Sequence, residues 1–145
     1  MPNLHFSGES RVHTTFHGRI VGAAAALLMG AFGTDYIYCM TSLWQWGNFS
    51  AWLITGGLVV LLIGVIALLI EFATGRVARL NLGSFVLIAA AALLSLANAF
   101  VHSRDAWTSV VPQGIVLSAI STILLFVAGL RGWNLATSRV TGDQT

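Results

Sequence analysis

AWLITGGLVVLLIGVIALLIEF, residues 51–72, is the stretch that decides the fold. Glu71 is the one charge in it, and it stands next to the end. At a rise of 1.5 Å per residue, a helix this long reaches roughly 30 Å, the thickness of a bilayer's hydrocarbon core. Hydrocarbon offers the backbone no hydrogen-bond partner, so a run of this kind must be helical. A membrane strand would alternate polar and apolar side chains, and this stretch does not.

Three further runs of the same character flank it: Ile20–Cys39, Leu82–Val101 and Gly114–Trp133. The links, Met40–Ser50, Ala73–Asn81 and His102–Gln113, are short, so helices adjacent in sequence must be antiparallel neighbours in space. Pro112 falls where the first turn of the fourth helix tolerates it. The sequence therefore predicts an all-α protein, an integral membrane four-helix antiparallel bundle forming a single transmembrane domain over residues 1–145.

Composition agrees. Hydrophobic residues make up 57% of the chain and charged ones 8%, with a mean hydropathy of +0.84. A soluble domain carries roughly 25% charged residues to keep its surface wet, so the lipid bilayer is the solvent expected here. The net charge of +2 comes from seven arginines and no lysine. They form no basic patch or stripe, which excludes a nucleic-acid partner. Cys39 is the single cysteine, so neither an intrachain disulfide nor a cysteine metal cluster can form.

Orientation follows from the arginines. Arg11 and Arg19 precede the first run, Arg76 and Arg79 lie between the second and third, and Arg131 and Arg139 lie at the end of the fourth and beyond it. Arg104 alone falls on the other side. Positive side chains near span ends stay in the cytoplasm, so the N- and C-termini are expected there. Trp44, Trp46, Trp52 and Trp107, with Tyr36 and Tyr38, then mark the outer interface. The first run is read as a retained span, because no small-residue cleavage site follows it.

Ionisable residues inside a span are costly and are candidates for function. Asp35 lies near the outer end of the first helix, and Asn98 and His102 lie one turn apart near the outer end of the third. The three are expected at one rim, either as a hydrogen-bonded knot that fixes helix register or as a proton, quinone or haem site; the knot is preferred. At the inner rim His13 and His17 share a helix face near Glu71, Arg76 and Arg79. One helix face cannot supply both axial ligands of a haem, and no metal motif accompanies the pair. No metal site is expected.

Gly18, Gly22, Ala26, Gly30 and Thr34 recur every four residues along the first helix. Such a stripe lets another helix approach closely. Tight packing inside the bundle is the preferred reading, and an interface with a second copy or a larger subunit the alternative. Gly56 and Gly64 on the second helix, and Gly114, Ser118 and Thr122 on the fourth, offer similar close contacts.

Several segments resemble a bacterial membrane family catalogued as domain of unknown function 2231. They are Asn98-Ala-Phe-Val-His-Ser-Arg-Asp105, Val111-Pro-Gln-Gly-Ile-Val-Leu-Ser118, Gly129-Leu-Arg-Gly132, Trp52-Leu-Ile-Thr-Gly-Gly57 and Ile70-Glu-Phe72, with Asp35 in the first helix. The resemblance spans Gly18 to Gly142. It implies four helices in a bacterial inner membrane, no established activity, and a lean toward membrane redox assemblies. The chain departs from the family's His-Pro and Phe-Pro opening, reading His13-Thr-Thr-Phe-His-Gly-Arg19 instead. Asn81-Leu-Gly-Ser84 also stands where relatives carry a histidine.

The expected function is thus a small multi-pass protein of the bacterial cytoplasmic (inner) membrane. It is read as a non-catalytic accessory or scaffold subunit, not an enzyme and without a bound cofactor, in a homo-oligomer or a larger membrane complex. A b-type haem or quinone-linked electron carrier is the first alternative. A small transporter is the second, although the broken helices and internal repeats usual in that class are missing.

Overall fold

The structure, a computed structural model, describes residues 15–104 and 110–138. Its helices are α1 (Phe16–Thr41), α2 (Trp44–Ala73), α3 (Leu82–His102) and α4 (Gln113–Leu130). All four are long and apolar enough to cross a membrane. Two short strands, β1 (Val77–Leu80) and β2 (Ala136–Ser138), pair antiparallel at one end of the bundle.

Local chemistry sets the helix ends. The Thr15 hydroxyl accepts from the Gly18 N–H at 3.3 Å and starts α1. Ser42, left-handed at φ 54°, stops it by donating its N–H to the Tyr38 carbonyl at 2.7 Å. Asn81 caps α3 through its side chain. Gly132, at φ +83°, turns the chain after α4, as glycine does beyond helix ends. The fourth helix therefore ends at Leu130, not at Trp133, and Trp133 folds back against Gly129 and Gly22.

The expected link Met40–Ser50 is mostly helix, since only Ser42 and Leu43 separate α1 from α2. Hydropathy marks where a chain meets hydrocarbon, not where its backbone hydrogen bonds stop, and no strong breaker lies in Trp44–Ser50. The strands were also not expected, because four- and three-residue segments carry too little pattern to read.

α1 packs most extensively on α2, and α3 on α4, while of the helices consecutive in sequence α2 and α3 meet least. The buried face of α1 runs through His17, Val21, Ala24, Leu28, Ala31, Asp35 and Tyr38, spaced three and four apart. Against it α2 presents Ile54, Gly57, Leu61, Gly64 and Leu68. A β-carbon on Gly57 would stand 2.7 Å from Leu28 and 3.3 Å from the Ala24 carbonyl. One on Gly64 would stand 3.1 Å from Val21. Small residues thus let these two backbones approach.

The stripe picked out in sequence is not this face. Gly18 and Gly22 lie against Asn134 and Trp133, which follow α4, rather than against a helix. Ala26 and Gly30 are exposed, and Thr34 is half-buried with its hydroxyl on the Ala31 carbonyl. Gly56 likewise faces open space, and its neighbour Gly57 makes the contact. A strict four-residue repeat drifts around a helix of 3.6 residues per turn, so it leaves the core face that an alternating three-and-four spacing follows.

Candidate functional site

α1 carries a buried polar residue near each end, Asp35 and His17, and each is joined to partners on other elements. At the Asp35 end, Asp35 Oδ1 lies 2.9 Å from His102 Nε2 on α3. The other carboxylate oxygen accepts from the Ser118 hydroxyl of α4 at 2.5 Å. His102 Nδ1 lies 3.1 Å from both the backbone carbonyl and the side-chain Oδ1 of Asn98. Asp35 is 0% exposed, Asn98 1% and Ser118 3%, so water does not screen this knot. It ties three helices together.

The partners decide the protons. The Asn98 backbone carbonyl can only accept, so Nδ1 of His102 must carry a hydrogen. Nε2 and Asp35 Oδ1 then hold one further proton between them, as imidazolium with carboxylate or as imidazole with carboxylic acid. Either distribution leaves the pair without net charge, which suits a site inside a span.

The His17 end is built differently. His17 Nε2 accepts from the Leu135 N–H at 3.1 Å. That nitrogen therefore carries no hydrogen, and Nδ1 donates to Glu71 Oε2 on α2. Here the ring is fixed as the neutral Nδ1–H form. Asn134 Oδ1 accepts from the Thr15 hydroxyl at 2.9 Å and from the Thr15 N–H at 3.2 Å, which pins the segment after α4 to the start of α1.

Serines supply the cross-links between these ends. Ser95 and Ser121 hydroxyls meet at 2.8 Å between α3 and α4, and Ser50 of α2 donates to the Ala31 carbonyl of α1 at 3.2 Å. Between the two histidines the core is apolar, filled by Val21, Leu28, Leu61, Ile88 and Leu125. Among the described residues, no three His, Cys, Asp or Glu side chains gather as a metal site.

The family model for a predicted membrane protein, domain of unknown function 2231, matches residues 13–145. The chain belongs to this family. No curated protein and no solved structure matches it. The segments that carry the family resemblance include Asp35, Asn98, His102 and Ser118 of one buried cluster and Glu71, but not His17, of the other.

Asp35, Asn98 and His102 thus lie at one rim in mutual hydrogen bonds, and His17 meets Glu71 at the other. His13 lies outside the described residues. Of the two tyrosines placed near Asp35, Tyr38 is buried and Tyr36 is exposed. Sequence reasoning missed the pairing of Ser118 with Asp35. It also missed Thr15, Asn134 and the Leu135 N–H at the His17 end. Ser118 was legible as a polar residue in a span, but a backbone amide beyond the last helix leaves no mark in sequence.

Proposed function

We propose that this membrane protein is a non-catalytic accessory or scaffold subunit that packs against another helix through α1. The observation that carries the reading is the exposed side of α1. Ala23, Ala26, Gly30 and Gly33 lie along it, exposed and spaced three, four and three apart. This is the seam by which membrane helices associate, since small residues let backbones close and gain van der Waals contact that lipid tails supply poorly. No atom lies within 4 Å of where a Gly33 β-carbon would stand, so the face is uncovered there, while one on Gly30 would touch Leu53 of α2 at 3.6 Å, at the edge of the seam.

The buried polar groups support the same reading. Asp35, His102, Ser118, His17 and Glu71 are each engaged in joining one element to another, as a structural knot requires. Haem ligation fits poorly, because both ring nitrogens of His17 and of His102 already have hydrogen-bond partners. A transport path along the bundle fits poorly too, since the apolar core lies between the clusters. The proposed setting is the bacterial cytoplasmic membrane with both termini inside, which puts the exposed Arg19, Arg76, Arg79 and Arg131 in the cytoplasm.

The test is the size of the assembly in mild detergent. The wild type should run as a homo-oligomer or a complex well above the 15.4 kDa chain. Gly33→Leu meets nothing inside the fold and should release a folded monomer. A wild type that is already monomeric in native-like lipid, or a Gly33→Leu variant that stays assembled, would remove the α1 seam as a contact.

A further inference from the structure

Between α2 and α3, the consecutive helices that meet least, lies an open groove of about 450 Å³. One wall is Leu58, Leu62 and Val65 of α2, and the other is Phe85, Ala89 and Ala92 of α3. Every lining residue is apolar. Leu69 and Phe72, exposed on α2, carry its wall onward toward Arg76. At this end the groove is closed by Leu135, whose carbonyl accepts from the Asn81 N–H at 2.8 Å.

The same end is positively charged. The connection from α2 to α3 crosses it, and that connection bears Arg76 and Arg79, both exposed. Neither forms an ion pair among the described residues, and Glu71, the nearest acid, is taken up by His17. The Thr137 hydroxyl donates to the Arg79 carbonyl at 3.3 Å, holding this residue next to the strand that follows Leu135.

We propose that this groove is a binding site for an anionic phospholipid, with one acyl chain against the α2 and α3 walls and the phosphate on Arg76 and Arg79. An apolar channel matches a hydrocarbon chain. The guanidinium groups on the connection that crosses this end, without an ion pair among the described residues, match a phosphate by charge and by their forked hydrogen-bond geometry. Basic pockets between helices at a membrane face hold anionic headgroups for this reason. Either orientation of the bundle leaves the arginines in a headgroup layer.

The experiment is native mass spectrometry of the full chain, delipidated and offered an equimolar mixture of phosphatidylglycerol and phosphatidylcholine of equal chain length. One phosphatidylglycerol should be retained in preference to phosphatidylcholine by roughly thirtyfold, as expected for two arginines near a headgroup. Arg76→Gln with Arg79→Gln alters exposed positions only, so the fold stands and the ratio should fall to about one. Ala92→Phe, which fills the groove, should lower retention of both lipids. Helical circular dichroism and a monodisperse elution check each variant. Equal retention by the wild type, an unchanged ratio in the double glutamine variant, or displacement of the lipid by an isoprenoid quinone would overturn the proposal. So would a lipid-free dimer seated on this face. Should Ala92→Phe fail to fold, the arginine variant still decides the headgroup half.

Discussion

His17 and Asp35 lie on the same face of α1, both fully buried, and their numbers differ by eighteen, which is five turns of 3.6 residues. At 1.5 Å per residue they stand about 27 Å apart, close to the depth of a hydrocarbon core. Each is the hub of a polar knot, and each knot ties α1 to different elements: α3 and α4 at Asp35, α2 and the segment after α4 at His17. α1 is therefore the strut that holds both ends of the bundle in register.

The first prediction concerns His17. His17→Leu keeps much of the volume but leaves the Leu135 N–H and Glu71 without their partner. Orphaned buried groups of this kind cost about 1–3 kcal/mol. The strand pairing of β1 with β2 should loosen first, so amide exchange at Leu135 and Ala136 should speed up by roughly tenfold or more. Exchange at Ile88 and Leu125, in the apolar core, should change less. Equal acceleration at all four amides would mean that His17 supports the whole fold rather than this end.

Adjacent glycines on α2 make the second. Gly57→Leu drives a side chain into Leu28 and the Ala24 carbonyl, and overpacking of this kind costs about 1–3 kcal/mol. Gly56→Leu meets nothing and exchanges glycine for a better helix former, so it should be neutral or slightly stabilising. Unfolding in mixed micelles of increasing dodecyl sulfate measures both. If Gly56→Leu is the more damaging of the two, α2 is rotated from the orientation described.

The helices were legible because hydrocarbon imposes one demand, about twenty apolar residues per crossing, and residues 51–72 meet it without ambiguity. The depth of Asp35, Asn98 and His102 was legible for a related reason: antiparallel connectivity brings the ends of α1 and α3 to one side. The rotation of each helix was not. Small side chains occur on both the core face and the exposed face of α1, so the stripe from Gly18 to Thr34 could not be told from the true core line through Val21, Leu28 and Asp35. The partners of His17 were hidden because a Leu135 amide reaches it only after Gly132 reverses the chain.

The third prediction is topological. A fluorescent or phosphatase reporter fused after Thr145 should report a cytoplasmic location, because Arg19, Arg76, Arg79 and Arg131 all lie at the His17 end of the bundle. Arg104, at the other end, is hydrogen-bonded through Nη1 to Gln113 at 2.8 Å. A periplasmic reporter would invert the proposed orientation while leaving the four spans intact.

The last concerns Asp35 and separates a structural knot from a proton-handling site. Asn at this position can donate its amide N–H to His102 Nε2 and accept from the Ser118 hydroxyl with its carbonyl, once His102 is neutral and keeps its one hydrogen on the Nδ1 that faces Asn98. Asp35→Asn should therefore preserve every hydrogen bond and cost no more than about 1 kcal/mol. Asp35→Ala removes both; the Ser118 hydroxyl still has the Gly114 carbonyl at 3.0 Å, but the buried His102 Nε2 is left unpaired, which should cost about 1–3 kcal/mol more. Stability in mixed micelles gives this comparison directly. Its companion is growth or complex assembly in cells carrying each variant. If the cluster is a knot, Asp35→Asn should assemble as the wild type does and Asp35→Ala should not. If the shared proton between Asp35 and His102 is used, Asp35→Asn should fold normally and still abolish function, because an amide cannot exchange that proton with the ring. That second pattern would replace the scaffold reading with a catalytic or transport one.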